Sequence, residues 1–225
     1  LCRSTPGRNG TTNEVSIRAL NYTSDSASFY YYEMPIVSSI SPALGERRGG
    51  TIVTASGINF LRSQDLSCRW LNETWSVLAS WASSTSVVCV ASPSLSAAST
   101  RFAVTPNGVD WTNSSVSFQF VEDVLLTSIW PREISVDGNV LVTITGSNFL
   151  SVGTSLVCKF GSLLEPIIAT FVSSTKITCM APPSNTSSVK VEVSLNNQQF
   201  TNQGISLAAL LTLLCVHAVL FCHHK

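Results

Sequence analysis

The sequence predicts an all-β chain built from tandem antiparallel β-sandwiches, and three observations support this fold class. First, a unit of about ninety residues is repeated, because the segment 127–183 matches the segment 38–93 at offsets of 89 or 90 residues. Second, apolar and polar residues alternate over short stretches, with no helical period. Third, Gly, Pro and Asn punctuate these stretches at the short intervals typical of sandwich turns. A composition rich in Ser, Thr and Val also favours strands.

Each complete repeat carries enough alternating apolar positions for a core of its own, and about seven short strands are expected in each. Thr51, Val53 and Ala55 alternate on one side of a predicted strand. The next repeat places Val140, Val142 and Ile144 at the same positions. Because successive side chains of a strand point to opposite faces, these residues are predicted to face the core. The aromatic pairs Phe60/Phe149 and Trp81/Phe171 are predicted core residues as well.

Two short motifs predict turns. The segments 57–59 and 146–148 contain Gly and Asn, which tolerate positive φ, so a bulge or tight turn is expected at each. The pair Asn107-Gly108, matched by Asn196-Asn197, is a strong signal for a two-residue hairpin.

The order of the shared residues resembles the IPT/TIG domain, which has an immunoglobulin-like fold. The shared order runs from a proline (Pro42), through Gly-x-Asn-Phe (57–60) and a first cysteine (Cys68), to a second cysteine followed by proline four residues later (Cys89, Pro93). An Asn-Gly pair and an aromatic-Thr pair follow. The likeness covers two complete repeats and part of a third, with departures at Leu71 and Asn139 that affect single turns. The resemblance implies extracellular stalks such as those of plexins, dimerisation modules of Rel-type transcription factors, or accessory domains of bacterial starch-processing enzymes.

The repeat divides the chain into four predicted segments. Residues 1–33 are expected to be the C-terminal part of a truncated first repeat, because Cys2 is followed by Pro6 as Cys89 is by Pro93. Residues 34–121 and 122–207 form the two complete repeats. A hydrophobic tail, 205–222, is predicted to be helical and overlaps the last strand of the third repeat.

Cysteine spacing predicts one disulfide inside each complete repeat. Cys68 and Cys89 stand as far apart as Cys158 and Cys179, and each of the four lies on a predicted strand. The alternative is that the four are buried free thiols. Five glycosylation sequons favour an extracellular or cell-surface location, where disulfides persist; they begin at Asn9, Asn21, Asn72, Asn113 and Asn185.

The tail 205–222 has three interpretations. It contains eighteen residues without Asp, Glu, Lys or Arg, near the ~20 residues that a membrane-spanning helix needs. It is therefore interpreted as a membrane anchor, as the signal for a glycosylphosphatidylinositol anchor, or as an artefact of the gene model. Cys215 and Cys222 are palmitoylation candidates if the anchor exists.

The sequence argues against catalysis and against nucleic-acid binding. All three histidines, His217, His223 and His224, lie in the tail, so neither complete repeat can supply a Ser-His or Cys-His pair. No catalytic residue, cofactor or metal site is predicted, and Glu122-Asp123 is read as a solvated linker. Thirteen basic and thirteen acidic residues cancel, and a neutral chain binds phosphate backbones poorly.

The predicted function is a non-enzymatic cell-surface ectodomain fragment that acts as a spacer and as a protein-binding module for adhesion or reception. Its partner is expected to be a protein or glycan at the cell surface. Trp75 is the candidate contact, because it aligns with Glu165 and exposed aromatics are enriched at binding hot spots. The alternative interpretation of Trp75 is local packing. The alternative function is an accessory carbohydrate-binding module of a larger extracellular enzyme.

Overall fold

The computed structural model describes residues 7–16, 18–19, 22–71, 75–162 and 165–210. Among them the regular structure is all strand, apart from one 3-10 turn at Gly153–Ser155. The described chain forms two compact units: one holds the described residues up to 43, 52–92 and 99–119, and the other holds 44–51, 93–98 and those from 120 onward.

A β-ribbon comes first. Its strands are β1 (Thr12–Val15), β2 (Arg18–Ala19), β3 (Tyr22–Thr23) and β4 (Ala27–Tyr30). Strand β1 pairs antiparallel with β4, and β2 pairs with β3. We refer to residues 7–34 as the N-terminal ribbon.

The first sandwich follows the N-terminal ribbon and contains two sheets. Its strands are β5 (Ile36–Ser41), β6 (Leu44–Glu46), β7 (Ile52–Ile58), β8 (Ser67–Trp70), β9 (Val77–Leu78), β10 (Ser80–Ser83), β11 (Ser86–Val90), β12 (Ser99–Thr105) and β13 (Ser117–Val121). One sheet has the order β10-β11-β7-β5 and the other β6-β13-β12-β8-β9. These nine strands exceed the seven expected, because the short edge strands β6 and β9 leave little pattern in the sequence.

The second sandwich repeats this arrangement. Its strands are β14 (Leu125–Trp130), β15 (Glu133–Ser135), β16 (Val140–Ser147), β17 (Val157–Phe160), β18 (Ile167–Ile168), β19 (Thr170–Ser173), β20 (Lys176–Ala181), β21 (Ser188–Ser194) and β22 (Ser206–Leu210). The sheet orders are β14-β16-β20-β19 and β15-β22-β21-β17-β18. After Pro131 the chain passes from the four-stranded sheet to the five-stranded sheet. There β15 pairs parallel with β22, which is an exception to the antiparallel pairing predicted from the sequence.

The core lies between the two sheets of each sandwich, as the alternation predicts. Val53 and Ala55 are fully buried, and so are their counterparts Val142 and Ile144. Phe60 and Phe149 are buried too, which confirms their predicted place in the core. The centre of the first core is an edge-to-face cluster in which the Trp70 ring lies 5.5 Å from that of Phe102 and 5.9 Å from that of Phe118.

The predicted turn at the end of the third strand of each sandwich is present. Asn59 and Asn148 have φ values of 62° and 64°, in the left-handed region that asparagine tolerates. The preceding glycines are needed for a different reason. A Cβ on Gly57 would overlap the carbonyl oxygen of Ile36, and one on Gly146 would overlap that of Leu125.

Two sequence predictions were wrong in detail. Trp81 and Phe171 are 39% and 36% exposed, so they are not core aromatics. Each lies on an edge strand, where the ring reaches only the rim of the sandwich, and the Trp81 indole N–H donates to the Phe60 carbonyl at 3.0 Å. The hairpin at Asn107-Gly108 exists, but residues 106–116 connect its strands, so the loop is longer than two residues.

The predicted helical tail is contradicted where the structure describes it. Ser206–Leu210 is a strand that pairs with β21 and β15, and it buries Leu207 and Ala209 while exposing Leu210. The alternation of apolar residues at 207 and 209 fits a half-buried strand, which removes these residues from any helix. The remainder of the predicted tail, from 211 onward, lies outside the described residues. Within the described ranges the structure has no helix long and apolar enough to cross a membrane.

Candidate protein-binding surface

The four repeat-matched cysteines form a disulfide inside each sandwich. Cys68 on β8 is bonded to Cys89 on β11, with the Cα atoms 6.3 Å apart. Cys158 on β17 is bonded to Cys179 on β20, with a Cα separation of 6.5 Å. In both sandwiches the bond joins the five-stranded sheet to the four-stranded sheet through the core. These cysteines therefore have a structural role as cross-links between sheets. Cys2, Cys215 and Cys222 lie outside the described residues.

Three of the five predicted glycosylation sites fall on described residues, and all three are exposed. Asn113 lies in the loop between β12 and β13, and Asn185 lies between β20 and β21. Asn9 precedes β1, and its side-chain amide donates to the Glu33 carboxylate at 3.0 Å. Asn21 and Asn72 lie outside the described residues.

Trp75, the contact predicted from the sequence, is accessible. It precedes β9 in the first sandwich and is 46% exposed. Leu78 on β9 is 75% exposed, so two large apolar side chains are accessible within four residues of the chain. Leu78 lies on β9, an edge strand of the five-stranded sheet.

A second exposed tryptophan was missed by the sequence analysis. Trp130 ends β14 and is 73% exposed. In the repeat alignment it stands opposite Ser41, so the comparison that selected Trp75 also carried the signal for Trp130. A large exposed aromatic residue that the other copy of the repeat replaces by serine is not needed to build the fold common to both.

Apolar neighbours surround Trp130 on the outer side of the four-stranded sheet. Trp130 lies opposite Thr143 on β16, and Leu141 is the outward residue two positions away on that strand. Leu141 lies opposite Met180 on β20. Leu141 and Met180 are 56% and 47% exposed. We call Trp130, Leu141, Thr143 and Met180 the Trp130 face. Opposed and diagonal positions lie about 5–8 Å apart, so these side chains are near neighbours.

Charge is distributed unevenly between the two sheets of each sandwich. Among the described strands, the two four-stranded sheets together contain one charged residue, Lys176. The five-stranded sheets contain seven: Glu46, Arg69, Arg101, Glu133, Lys159, Lys190 and Glu192. Charged residues are depleted from the cores of protein interfaces, so the four-stranded sheet with the Trp130 face has the composition of a contact surface.

The first sandwich has a buried carboxyl group that the second sandwich lacks. Glu46 on β6 is 5% exposed, and its counterpart in the second sandwich is Ser135. Burial raises the pKa of the Glu46 carboxyl, and the negative charge of Asp123 adds to this effect, whereas Arg48 opposes it. Glu46 forms an ion pair with Arg48. The group has the chemistry of a pH-sensitive structural contact.

The described residues offer no cluster of three or more His, Cys, Asp or Glu side chains that could hold a metal ion.

Comparison with known proteins agrees with this geometry. The sequence model of the family described as IPT/TIG domain matches residues 35–120 and 125–209. Plexin-A2 of Mus musculus is 30% identical over 157 residues, which cover 68% of this chain and 8% of the relative. Plexin A3 of Danio rerio is 26% identical over 174 residues, covering 72% of this chain and 8% of the relative. The chain thus spans a small part of these relatives.

A solved structure shares the fold. The full extracellular region of plexin A4 has a TM-score of 0.56 and 19% identity, over 88% of this chain and 18% of that structure.

Proposed function

The chain belongs to the IPT/TIG domain family, and on that premise we propose that it is part of the extracellular region of a cell-surface receptor. Its tandem sandwiches act there as a spacer and as a protein-binding module. The observation that carries the proposal is the disulfide repeated between the sheets of both sandwiches. Such bonds form and persist in oxidising compartments. The exposed sequons at Asn9, Asn113 and Asn185 support the same location.

Thiol chemistry tests the location. The chain is expressed through the secretory pathway and unfolded without reductant in the presence of a thiol-alkylating reagent. Cys68, Cys89, Cys158 and Cys179 are expected to stay unmodified until a reductant is added, as judged by peptide mass mapping. Alkylation of all four before reduction would show free thiols and contradict an extracellular module of this kind.

The binding role is assigned to the Trp130 face, and its partner is a protein with an uncharged, apolar contact area. Tryptophan is enriched among the residues whose truncation costs most in protein interfaces. Leu141 and Met180 beside it add apolar area, and the single charge on the four strands does not favour a strongly charged partner. Thr143, opposite Trp130, adds a hydroxyl group to this surface.

Cell binding tests this assignment. The chain is fused to a dimeric antibody constant region, and its binding to a panel of cells is titrated by flow cytometry. Trp130→Ala is expected to weaken binding about thirtyfold, since a hot-spot residue contributes ~2 kcal/mol or more. Trp75→Ala is the matched control and is expected to bind as the parent does. Circular dichroism establishes that both variants are folded.

Two outcomes would count against the assignment. If Trp130→Ala binds as the parent does, the Trp130 face is not the contact. If enzymatic removal of cell-surface glycans abolishes binding while cell-surface proteins remain intact, the partner is a carbohydrate. The chain would then act as a carbohydrate-binding module.

A further inference from the structure

The N-terminal ribbon has the backbone pairing of the ribbon that completes each sandwich. Phe29 lies opposite Asn13 in the N-terminal ribbon, Phe118 lies opposite Thr100 in the first sandwich, and Leu207 lies opposite Val189 in the second. Phe29, Phe118 and Leu207 are each 89 residues apart in the sequence, and Asn13 and Thr100 are 87 apart. The family model begins at residue 35, so it does not cover this segment.

A hydrogen bond at the same place in all three ribbons fixes the register. The Tyr31 N–H donates to the Thr11 carbonyl at 3.0 Å in the N-terminal ribbon. The equivalent bonds join Phe120 to Ala98 at 2.9 Å and Ala209 to Ser187 at 3.0 Å. Because a shift of one residue would move every side chain to the opposite face, an identical register means that the same positions face the same side.

Side-chain burial is where the N-terminal ribbon differs. Phe118 and Leu207 are 0% and 1% exposed, whereas Phe29 is 43% exposed. Val15 is 53% exposed, and the residues at its position in the two sandwiches, Phe102 and Val191, are buried. The N-terminal ribbon therefore presents to solvent the face that forms part of a core in both complete sandwiches.

The edges of the N-terminal ribbon differ in the same way. In the first sandwich β12 also pairs with β8, and β13 also neighbours β6. In the described part of the chain, β1 and β4 pair only with each other. The N-terminal ribbon therefore has two unpaired strand edges and one exposed apolar face. In a complete sandwich, the remaining strands pair with these edges and cover this face.

We propose that the N-terminal ribbon is the closing ribbon of a third IPT/TIG sandwich, and that its exposed apolar face binds the other strands of that sandwich. The occupant is polypeptide from upstream of residue 7 in a longer form of the chain. It supplies one strand to each free edge and a facing sheet.

Hydrogen exchange tests the proposal on two chains, the 225-residue chain and one extended upstream by about sixty residues of its own precursor. In the longer chain, exchange of the β1 and β4 amides is expected to slow at least a hundredfold, while the amides of β12 and β13 keep their rates.

Two single substitutions test whether the apolar face of the N-terminal ribbon is the one that is covered. In the longer chain, Phe29→Ala is expected to restore fast exchange of the β1 and β4 amides, whereas Tyr30→Ala, on the opposite face, leaves them slow. Equal exchange of these amides in the two parent chains would overturn the proposal. Protection that appears in the 225-residue chain and grows with protein concentration would also overturn it, since the occupant would then be a second copy. Neither result depends on the location or on the partner of the receptor.

Discussion

At the residue scale, one threonine in each sandwich explains why a Thr follows the aromatic residue near the end of both repeats. The Thr112 hydroxyl accepts the Val104 N–H at 2.9 Å, and the Thr112 N–H donates to the Val104 carbonyl at 2.9 Å. Thr201 makes the same two bonds with Val193, each at 3.0 Å. Both threonines are buried. Each threonine hydroxyl thus gives a hydrogen-bond acceptor to a buried backbone N–H group that water does not reach.

Replacement of Thr112 by valine keeps the shape and removes the acceptor. The Val104 N–H is then buried without a partner, and the free energy of unfolding is expected to fall by about 1–3 kcal/mol. Urea denaturation measures the change. Thr112→Ser keeps the oxygen and is the control, with a smaller expected loss. Equal losses for the two variants would mean that the hydroxyl is not needed.

Glu46 is expected to make the stability of the first sandwich depend on pH. Burial, with the charge of Asp123, raises the pKa of this carboxyl in the folded chain above its ordinary 4.5. Between pH 4.5 and the raised pKa, the folded state therefore holds more protons than the unfolded state. The contribution of Glu46 to stability therefore falls as pH rises from 4.5 through the raised pKa.

Glu46→Gln cannot ionise and should remove this contribution. The difference in unfolding free energy between variant and parent is expected to grow in favour of the variant between pH 4.5 and 7.5. Denaturation series at several pH values measure it. A difference that is constant with pH would show that the pKa of Glu46 is not raised.

At the scale of elements, strand β22 shows how pairing overrides an apolar run. The sequence from 205 onward has the composition of a spanning helix, but Ser206, Leu207 and Ala208 pair with Lys190, Val189 and Ser188 of β21. Leu207 completes the core at the position that Phe118 fills in the first sandwich. Backbone pairing on both edges and a filled core site outweigh the helical signal.

Leu207→Ala is expected to destabilise the second sandwich by about 2–5 kcal/mol, the usual cost of removing a buried leucine side chain. Leu210→Ala is the matched control, because Leu210 is 48% exposed on the same strand and should cost little. Thermal or urea unfolding compares the two. Similar small effects for both substitutions would mean that β22 is not part of the core.

At the scale of the whole molecule, two of the described sequons lie in loops, whereas the Trp130 face lies on a sheet. Asn113 and Asn185 lie in loops, outside the four-stranded sheets, whereas Trp130, Leu141 and Met180 lie on one of those sheets.

Expression in a secretory host tests this arrangement. Asn113→Gln and Asn185→Gln are each expected to remove one glycan, seen as one step in gel mobility that disappears after endoglycosidase treatment. Neither substitution should weaken the cell binding assigned to Trp130. Unchanged mobility of both variants would mean that these sequons are not used.

How far the sequence predicts the structure differs between features. The repeat predicts the core positions, such as Val53 and Val142, because the period-2 pattern of a strand depends on neighbouring residues. The cysteine pairs follow from equal spacing in two copies. The exposure of Trp81 and Phe171 could not be predicted, since an inward position on an edge strand has the same local pattern as one at the centre of a sheet.

The sequence by itself determined the repeat, the all-β class, the paired cysteines and the absence of histidine from both complete repeats. These properties depend on residue types and on their spacing along the chain. Only the tertiary structure decided that Ser206–Leu210 is a strand and that Trp130 stands beside Leu141 and Met180. It also decided that Phe29 is exposed, although the residues at the same position of the two sandwiches are buried in a core. Each of these depends on which distant strands are neighbours, and strand pairing between distant segments is not recorded in local pattern.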